Sequence, residues 1–142
     1  MKVHLQRLDD AFQFEAKNEH GNSMIFDIGP ESGGKGNGVR PMQTLLMALG
    51  GCSAVDIIMI LKKQKQEITD FRIEIDGERE KGKEPSLWQE IHAIYHIDGA
   101  VDPDKAKRAV SLSMEKYCSV SKTLEKAEAK ITWEVRVNGE KI

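Results

Sequence analysis

A long apolar helix pattern, from about Pro41 to about Lys65, constrains the fold of this chain more than any other feature. Apolar residues recur there with the period of 3.6 that marks a helix with a buried face. Proline suits the first turn, since an N–H at that position has no helical partner. Gly50 and Gly51 each cost roughly 1 kcal/mol relative to alanine in a helix interior. We therefore expect another segment to pack close to the helix backbone at these glycines.

The segments on either side of this helix predict an α+β fold with a largely antiparallel sheet. Three short strands precede it as a meander, and two strands, a second helix and a final strand follow. The second helix begins with Asp102 as N-cap and Pro103 at the first helical position, and it runs to about Tyr117. The glycine-rich segment 29–38 predicts a mobile loop without a regular element. We predict a single domain, 1–142, with strands at 3–8, 12–16, 24–28, 71–79, 88–97 and 131–137.

Composition argues against nucleic-acid and membrane partners. The net charge is −2, with 21 basic and 23 acidic residues intermixed along the chain, so no basic stripe is available for phosphates. The apolar stretch 44–61 is interrupted by two glycines, a serine and Asp56, and no secretory signal segment opens the chain. We expect a cytoplasmic protein. A hydrophobic content of 39% beside 31% charged residues favours a homodimer that buries part of the surface.

The two cysteines, Cys52 and Cys118, are the first candidates for chemistry. They lie far apart and lack C-x-x-C spacing, and a reducing compartment disfavours a permanent disulfide. The alternative is a pair of buried apolar thiols. Cys52 falls on a mostly apolar helix face, where burial alone raises a thiol pKa, so reactivity requires a cation or several N–H donors nearby. Arg40 is the nearest basic candidate along the chain, and its alternative is a solvated loop charge.

The second cysteine and a nearby carboxylate each allow two interpretations. Cys118 lies where the second helix ends, and Ser119 or Ser121 could cap a short helical turn after it. A cysteine near a helix N-terminus gains thiolate character, whereas a cysteine beneath the last strand is inert. Asp56 lies one turn past Cys52, where its charge would raise the thiol pKa. It could instead orient an arginine, or it is an ordinary satisfied helix carboxylate.

The histidines and the glycine loop give no metal or phosphate site. His92 and His96 share a strand face but are roughly 13 Å apart at the rise of a strand, too far to bind one ion. We interpret them as solvated strand residues. Lys35 is followed by Gly36 rather than Ser or Thr, so the P-loop pattern is absent.

Two segments resemble the signatures of a known family. Residues 33–53, GGKGNGVRPMQTLLMALGGCS, contain a glycine-rich loop, a proline and a small-residue helix that reaches a cysteine. Residues 117–121, YCSVS, are similar to a Cys-Pro-x-Ser segment. Together, at this separation and with this order of elements, they resemble the osmotically inducible protein C / organic hydroperoxide resistance (OsmC/Ohr) family across nearly the whole chain.

This resemblance implies a fold, an activity and a site. Family members form an intertwined homodimer, with the long helix buried between subunits and the active sites at the interface. By the resemblance, Cys52 is the peroxidatic nucleophile that becomes a sulfenic acid, and Cys118 is the resolving thiol that closes a disulfide. No bound cofactor is implied, because an external dithiol, a lipoylated protein in the best-known branch, reduces the disulfide. We expect Met42, Leu45 and Leu49 to line the apolar substrate pocket.

The sequence also departs from the peroxidase branches of the family. Met42 stands where those branches have the glutamate of the activating pair, and residues 17–22 lack the expected arginine. Arg40 could substitute, oriented by Asp56. Pro-Met-Gln before the helix and Cys-Ser-x-x-Asp on it resemble a less characterised branch. The leading hypothesis is a thiol-dependent peroxidase for organic hydroperoxides or hydrogen peroxide in oxidative stress defence. The alternatives are a binding protein for a small apolar or acyl ligand in the interfacial pocket, and a redox sensor.

Overall fold

The computed structural model describes all 142 residues as two compact units, 1–45 and 46–142. The first unit contains the predicted antiparallel meander, in the order β1-β2-β3. β2 begins two residues later than predicted, because the carboxylate of Asp9 accepts the N–H groups of Ala11 and Gln13 at 2.9 and 3.2 Å and extends the turn. The strands are β1 (Val3–Arg7), β2 (Phe14–Asn18) and β3 (Ser23–Phe26).

The glycine-rich segment of this unit is organised around Asp27, a buried carboxylate that the sequence analysis missed. Asp27 accepts the backbone N–H groups of Ile28 at 2.8 Å, Lys35 at 3.2 Å and Asn37 at 3.0 Å. The expectation of a loop without a regular element was wrong, since Pro30–Ser32 form a short 3-10 helix. A fixed acceptor just before the segment lets the backbone fold around it without a sheet or an α-helix.

Helix α1 (Pro41–Lys63) is the predicted long helix, and it ends with two lysines, whose charge suits the C-terminal end of the helix dipole. The close approach expected at the glycines occurs at Gly50, where a Cβ would lie 3.2 Å from Ile75 Cδ1. A Cβ on Gly51 would meet nothing within 4 Å. By length and composition α1 could cross a membrane, with mean hydropathy 2.1 over 18 residues, and 28% of that window is buried. Core helices of soluble proteins have the same composition.

The second unit is a four-stranded sheet in the order β4-β5-β6-β7, with helices between β5 and β6. The β5–β6 pair is parallel, because residues 101–129 cross back over the sheet before β6 begins. The remaining pairs are antiparallel as predicted. The predicted second helix continues past its last α-helical residue as one wide π-turn, and a further helix follows. The elements are β4 (Glu67–Arg79), β5 (Trp88–Ala100), α2 (Pro103–Leu112), a π-turn (Ser113–Tyr117), α3 (Ser119–Lys126), β6 (Lys130–Val137) and β7 (Glu140–Lys141).

The core of this unit lies on the inward face of β5. Alternate residues of the strand point to that face, as their period of two predicts, and all are almost fully buried. Truncating one large aliphatic side chain in such a core costs about 2–5 kcal/mol, so the core fixes the helices that carry the cysteines. The core residues come from β5 (Ile91, Ala93, Tyr95, Ile97), α1 (Leu49, Ile57, Leu61) and α2 (Ala106, Ala109, Val110).

Candidate active site

The two cysteines lie side by side in the second unit, 66 positions apart in the chain. Cys52 is on α1 and partly exposed, Cys118 immediately precedes α3 and is fully buried, and neither forms a disulfide. The two thiols are close enough for each to shift the pKa of the other. The structure thus combines an accessible sulfur with a protected sulfur nearby.

The π-turn sets the position of Cys118. The N–H of Cys118 donates to the carbonyl of Ser113 at 2.8 Å, one residue further back than in an α-helix, and this wider turn ends the helical segment. Cys118 then becomes the N-cap of α3, and its Sγ accepts the N–H of Ser121 at 3.4 Å. The expectation that Ser119 or Ser121 caps this helix was wrong, because the cysteine sulfur takes that role.

The first turn of α3 also donates to the other sulfur. The backbone N–H groups of Val120 and Ser119 both lower the pKa of Cys52. The hydroxyl of Ser119 lies 3.9 Å from Cys52 Sγ. The first N–H groups of a helix have no partners within it and carry partial positive charge. The start of α3 therefore supplies the several N–H donors that Cys52 requires for reactivity.

These contacts shift the two thiols in opposite directions. Burial raises the pKa of Cys52, but the hydrogen bonds from Val120, Cys118 and Ser119 outweigh it, so the pKa of Cys52 is lowered. Burial raises the pKa of Cys118 to about 11, and the hydrogen bond to Cys52 and its negative charge act in the same direction. The start of α3 therefore favours the thiolate of Cys52. The sequence had instead suggested Cys118 as a cysteine that gains thiolate character near a helix N-terminus.

A buried polar chain that the sequence did not reveal lies close to the thiols. The hydroxyl of Tyr95 donates to Ser53 Oγ at 3.0 Å and also lies 3.1 Å from Met114 Sδ. Ser53 in turn donates to the carbonyl of Leu49 at 2.8 Å. Burial raises the pKa of Tyr95 to about 12, with a contribution from the charges of the two cysteines. An alternating strand pattern identifies Tyr95 as inward-facing but cannot show its hydroxyl partner.

Asp56 and Arg40, the two residues predicted to assist Cys52, both contact groups other than its thiol. Asp56 accepts a hydrogen bond from the hydroxyl of Ser113 at 3.2 Å, so it links α1 to the π-turn. The guanidinium of Arg40 pairs with Glu31 at 2.7 Å within the first unit, and both side chains are more than half exposed. An exposed pair of this kind contributes at most about 1 kcal/mol. Arg40 is therefore engaged by a carboxylate of its own loop.

The three predicted pocket residues differ in their surroundings. Leu49 is fully buried in the core of the second unit, Leu45 is exposed, and Met42 is half-buried in the first turn of α1. The first unit has an apolar cleft of about 460 Å³, bounded by α1 at Pro41. The other residues that line it are Leu5, Phe12, Phe14, Phe26, Asp27 and Ile28.

Histidine partners come from neighbouring strands. His92 Nδ1 lies 2.6 Å from Thr132 Oγ1, and His96 Nε2 lies 3.0 Å from Glu74 Oε1. No group of three or more His, Cys, Asp or Glu side chains is placed to hold a metal ion.

Comparison with known proteins agrees with this architecture. Residues 34–134 match the family described as OsmC-like protein. Protein YhfA of Escherichia coli K12 is 44% identical over 88 residues, which are 61% of this chain and 65% of YhfA, so slightly less than two thirds of that relative is spanned. A crystal structure of a hypothetical protein from Aquifex aeolicus VF5 has a TM-score of 0.79 and 36% identity, with 96% of each chain covered.

A more distant structure shares the fold alone. The organic hydroperoxide resistance protein OsmC of Legionella pneumophila superposes with a TM-score of 0.73 over 95% of both chains, at 16% identity. The family match covers most of the chain, and the A. aeolicus structure covers nearly all of it at an identity above 30%. The three-stranded meander, the long helix and the strands and helices that follow it are thus parts of a shared fold, and this chain belongs to the OsmC-like family.

Proposed function

We propose that this protein is a thiol-dependent peroxidase that reduces organic hydroperoxides, or hydrogen peroxide, in oxidative stress defence. One observation carries the proposal: a partly exposed Cys52 lies against the start of α3, where Cys118 is the N-cap. Thiolates are the nucleophilic form of cysteine, and a neighbouring thiol allows the oxidised sulfur to be resolved. Membership of the OsmC-like family supports the same chemistry.

The first step of the proposed reaction is nucleophilic attack by Cys52. Its thiolate attacks the terminal oxygen of the hydroperoxide, an S–O bond forms and the O–O bond breaks. The leaving alkoxide takes a proton from solvent and departs as the alcohol, and Cys52 becomes a sulfenic acid. The N–H groups of Ser119 and Val120 prepare this step because they stabilise the negative sulfur before the substrate arrives.

The second step closes the disulfide and depends on the first. Cys118 loses its proton and attacks the sulfur of Cys52, so an S–S bond forms, the S–O bond breaks and water leaves. The negative charge of Cys52 helps to raise the pKa of Cys118, and oxidation removes that charge. The N–H of Ser121 still donates to Cys118 Sγ and favours its thiolate. Oxidation of Cys52 thus makes Cys118 more acidic at the moment when it must react.

The cycle requires two-electron reduction of this disulfide by an external dithiol, such as a lipoylated protein. We assign the reaction to the cytoplasm, where thiols are kept reduced. The protein itself then requires no bound cofactor.

We also propose a homodimer in which a second copy covers α1. Only 28% of its apolar 18-residue window is buried within one chain. Ala48, Gly51, Val55 and Met59 are exposed along one stripe of the helix, at the spacing of three and four residues that places side chains on one face. The small side chains of Ala48 and Gly51 allow another backbone to approach closely.

Hydroperoxide consumption tests the function directly. We expect the reduced protein to consume tert-butyl hydroperoxide catalytically with a dithiol donor, and Cys52→Ser to reduce the rate to background. Cys118→Ser should consume about one equivalent without the dithiol and leave a sulfenic acid on Cys52, which dimedone traps. Thr69→Ser, a conservative change on β4, serves as the control. Unchanged turnover in Cys52→Ser, or none in the native protein, would refute the peroxidase.

A second candidate function is binding of a small apolar or acyl ligand. The cleft of about 460 Å³ in the first unit supports it, because four of its lining residues are aromatic or aliphatic side chains of the meander: Leu5, Phe12, Phe14 and Phe26. Native mass spectrometry of the purified protein separates the candidates. A co-purifying ligand together with no hydroperoxide turnover supports binding, and turnover without a ligand supports the peroxidase.

A further inference from the structure

The side chain of Ser119 has a contact that the proposed reaction does not use. Ser119 is the first residue of α3, and Cys118 is the N-cap before it. Its side-chain hydroxyl lies 3.9 Å from Cys52 Sγ, and both this hydroxyl and the backbone N–H of Ser119 lower the pKa of Cys52. One residue thus directs two donors, one from its side chain and one from its backbone, at the accessible sulfur.

We propose that Ser119 is the positioning residue that holds Cys52 as a thiolate at the start of α3. This inference rests on the proposed peroxidase for its role in turnover, but its physical content concerns Cys52 alone. Hydrogen bonds to a charged group are roughly twice as strong as neutral ones. Two such donors from one residue stabilise the thiolate without an adjacent cation.

The titratable groups around Cys52 supply no positive charge to stabilise its thiolate, so the donors of Ser119 matter more. Cys118 faces it from the N-cap of α3, the Tyr95 phenol lies close enough for its pKa to respond to both cysteines, and Asp56 follows one turn later on α1. None of these three carries a positive charge, and an ionised Asp56 would oppose the thiolate. Burial opposes the lowered pKa of Cys52, and the favourable contributions come first from Val120, then from Cys118, and then from the side chain and the backbone N–H of Ser119.

The position allows an unusually specific test, because proline is compatible with it. Proline is favoured at the first position of a helix. The preceding residue, Cys118, already has φ −67° and ψ 103°, the extended conformation that a residue before proline requires. Ser119→Pro therefore removes both the N–H and the hydroxyl while preserving the start of α3. Ser119→Ala removes the hydroxyl alone, and Ser119→Thr retains both donors.

The measurement is the pH profile of iodoacetamide alkylation at Cys52, quantified by peptide mass spectrometry in the full-length reduced protein. At pH 7 we expect alkylation to slow about threefold in Ser119→Ala and about tenfold in Ser119→Pro. The midpoint should rise in the same order, and Ser119→Thr should stay within about twofold of the native rate. Ser111→Ala on α2 is the matched control and should change nothing.

The outcomes separate this inference from the proposed function. If the midpoints rise in the expected order but the native protein consumes no hydroperoxide, the role of Ser119 stands and the peroxidase fails. Equal midpoints in the native protein and Ser119→Pro, with circular dichroism showing an intact fold, overturn the role whatever the turnover. If Ser119→Pro does not fold, Ser119→Ala and Ser119→Thr decide: equal profiles for these two overturn the inference, and a slower alanine variant supports it.

Discussion

Tyr95→Phe removes a single oxygen atom and so tests the buried polar chain close to the cysteines. Tyr95 is fully buried, and its hydroxyl donates to Ser53 Oγ at 3.0 Å. The substitution removes this hydrogen bond and leaves Ser53 Oγ, which still donates to the carbonyl of Leu49, without its donor. A net hydrogen bond contributes about 1 kcal/mol, and a buried acceptor left unsatisfied adds to the loss. We expect the free energy of unfolding to fall by about 1–2 kcal/mol.

The loss is measured by thermal and urea unfolding of the reduced protein at one fixed concentration. For a chain of this size, 1–2 kcal/mol corresponds to a decrease in Tm of about 3–6 °C. The matched control is Tyr117→Phe, because Tyr117 is the other tyrosine and is 51% exposed. Its free energy of unfolding should stay within about 0.5 kcal/mol of the native value.

A double-mutant cycle with Ser53→Ala checks that the hydrogen bond itself is responsible. Because the two residues share one bond, the double variant should lose less than the sum of the single losses, by about 1 kcal/mol. Strictly additive losses, or equal effects of Tyr95→Phe and Tyr117→Phe, would show that the contact is not formed as described.

Two further predictions concern the glycine-rich segment and the exposed face of α1. Backbone hydrogen bonds, of which the one from Asn37 has the largest effect, lower the pKa of Asp27. The order of segment 28–38 should therefore be fully retained above the ordinary aspartate pKa of 3.8. It should be lost as the pH falls through the lower pKa of Asp27 in the folded protein. Hydrogen exchange at the amides of Lys35 and Asn37 measures this, with Asp27→Ala expected to abolish protection at every pH and Asp10→Ala as the control. Val55 is 58% exposed on α1, and Val55→Glu should convert a dimer into a monomer of 15.9 kDa in light scattering, whereas Lys62→Glu should not. A native protein that is already monomeric contradicts the dimer.

The element order followed from the sequence because its signals are local. Periods of 3.6 and 2 identified α1 and β5, and Asp102 before Pro103 marked the start of α2, where the carboxylate does accept the N–H of Lys105. The parallel β5–β6 pairing was not predicted, since the direction of a strand pair depends on how the intervening helices cross the sheet. The order of the glycine loop was missed because it depends on Asp27, which lies before the segment and accepts the N–H groups of Lys35 and Asn37.

Local signals also explain which parts of the site could be anticipated. The resemblance to the family singled out Cys52 and Cys118, and the structure places them together. The donors to Cys52 come from α3, which is close in space but distant in sequence, so spacing along α1 could not reveal them. Arg40 was considered for its proximity in sequence, yet its guanidinium pairs with Glu31. Sequence neighbours are a poor guide to electrostatic neighbours when a site is assembled from two helices.

The parallel strand pair has a consequence for biosynthesis. The crossover that carries Cys118 is closed only when β6 (Lys130–Val137) joins β5, and β6 follows that crossover along the chain. Pairings between distant segments form late, because the entropy cost of closing the loop between them comes before the contacts that offset it. A nascent chain that has folded only its meander and α1 carries Cys52 without the amides of α3. Its thiol should therefore become oxidant-sensitive only after synthesis of residue 137, when Cys118 is also in place.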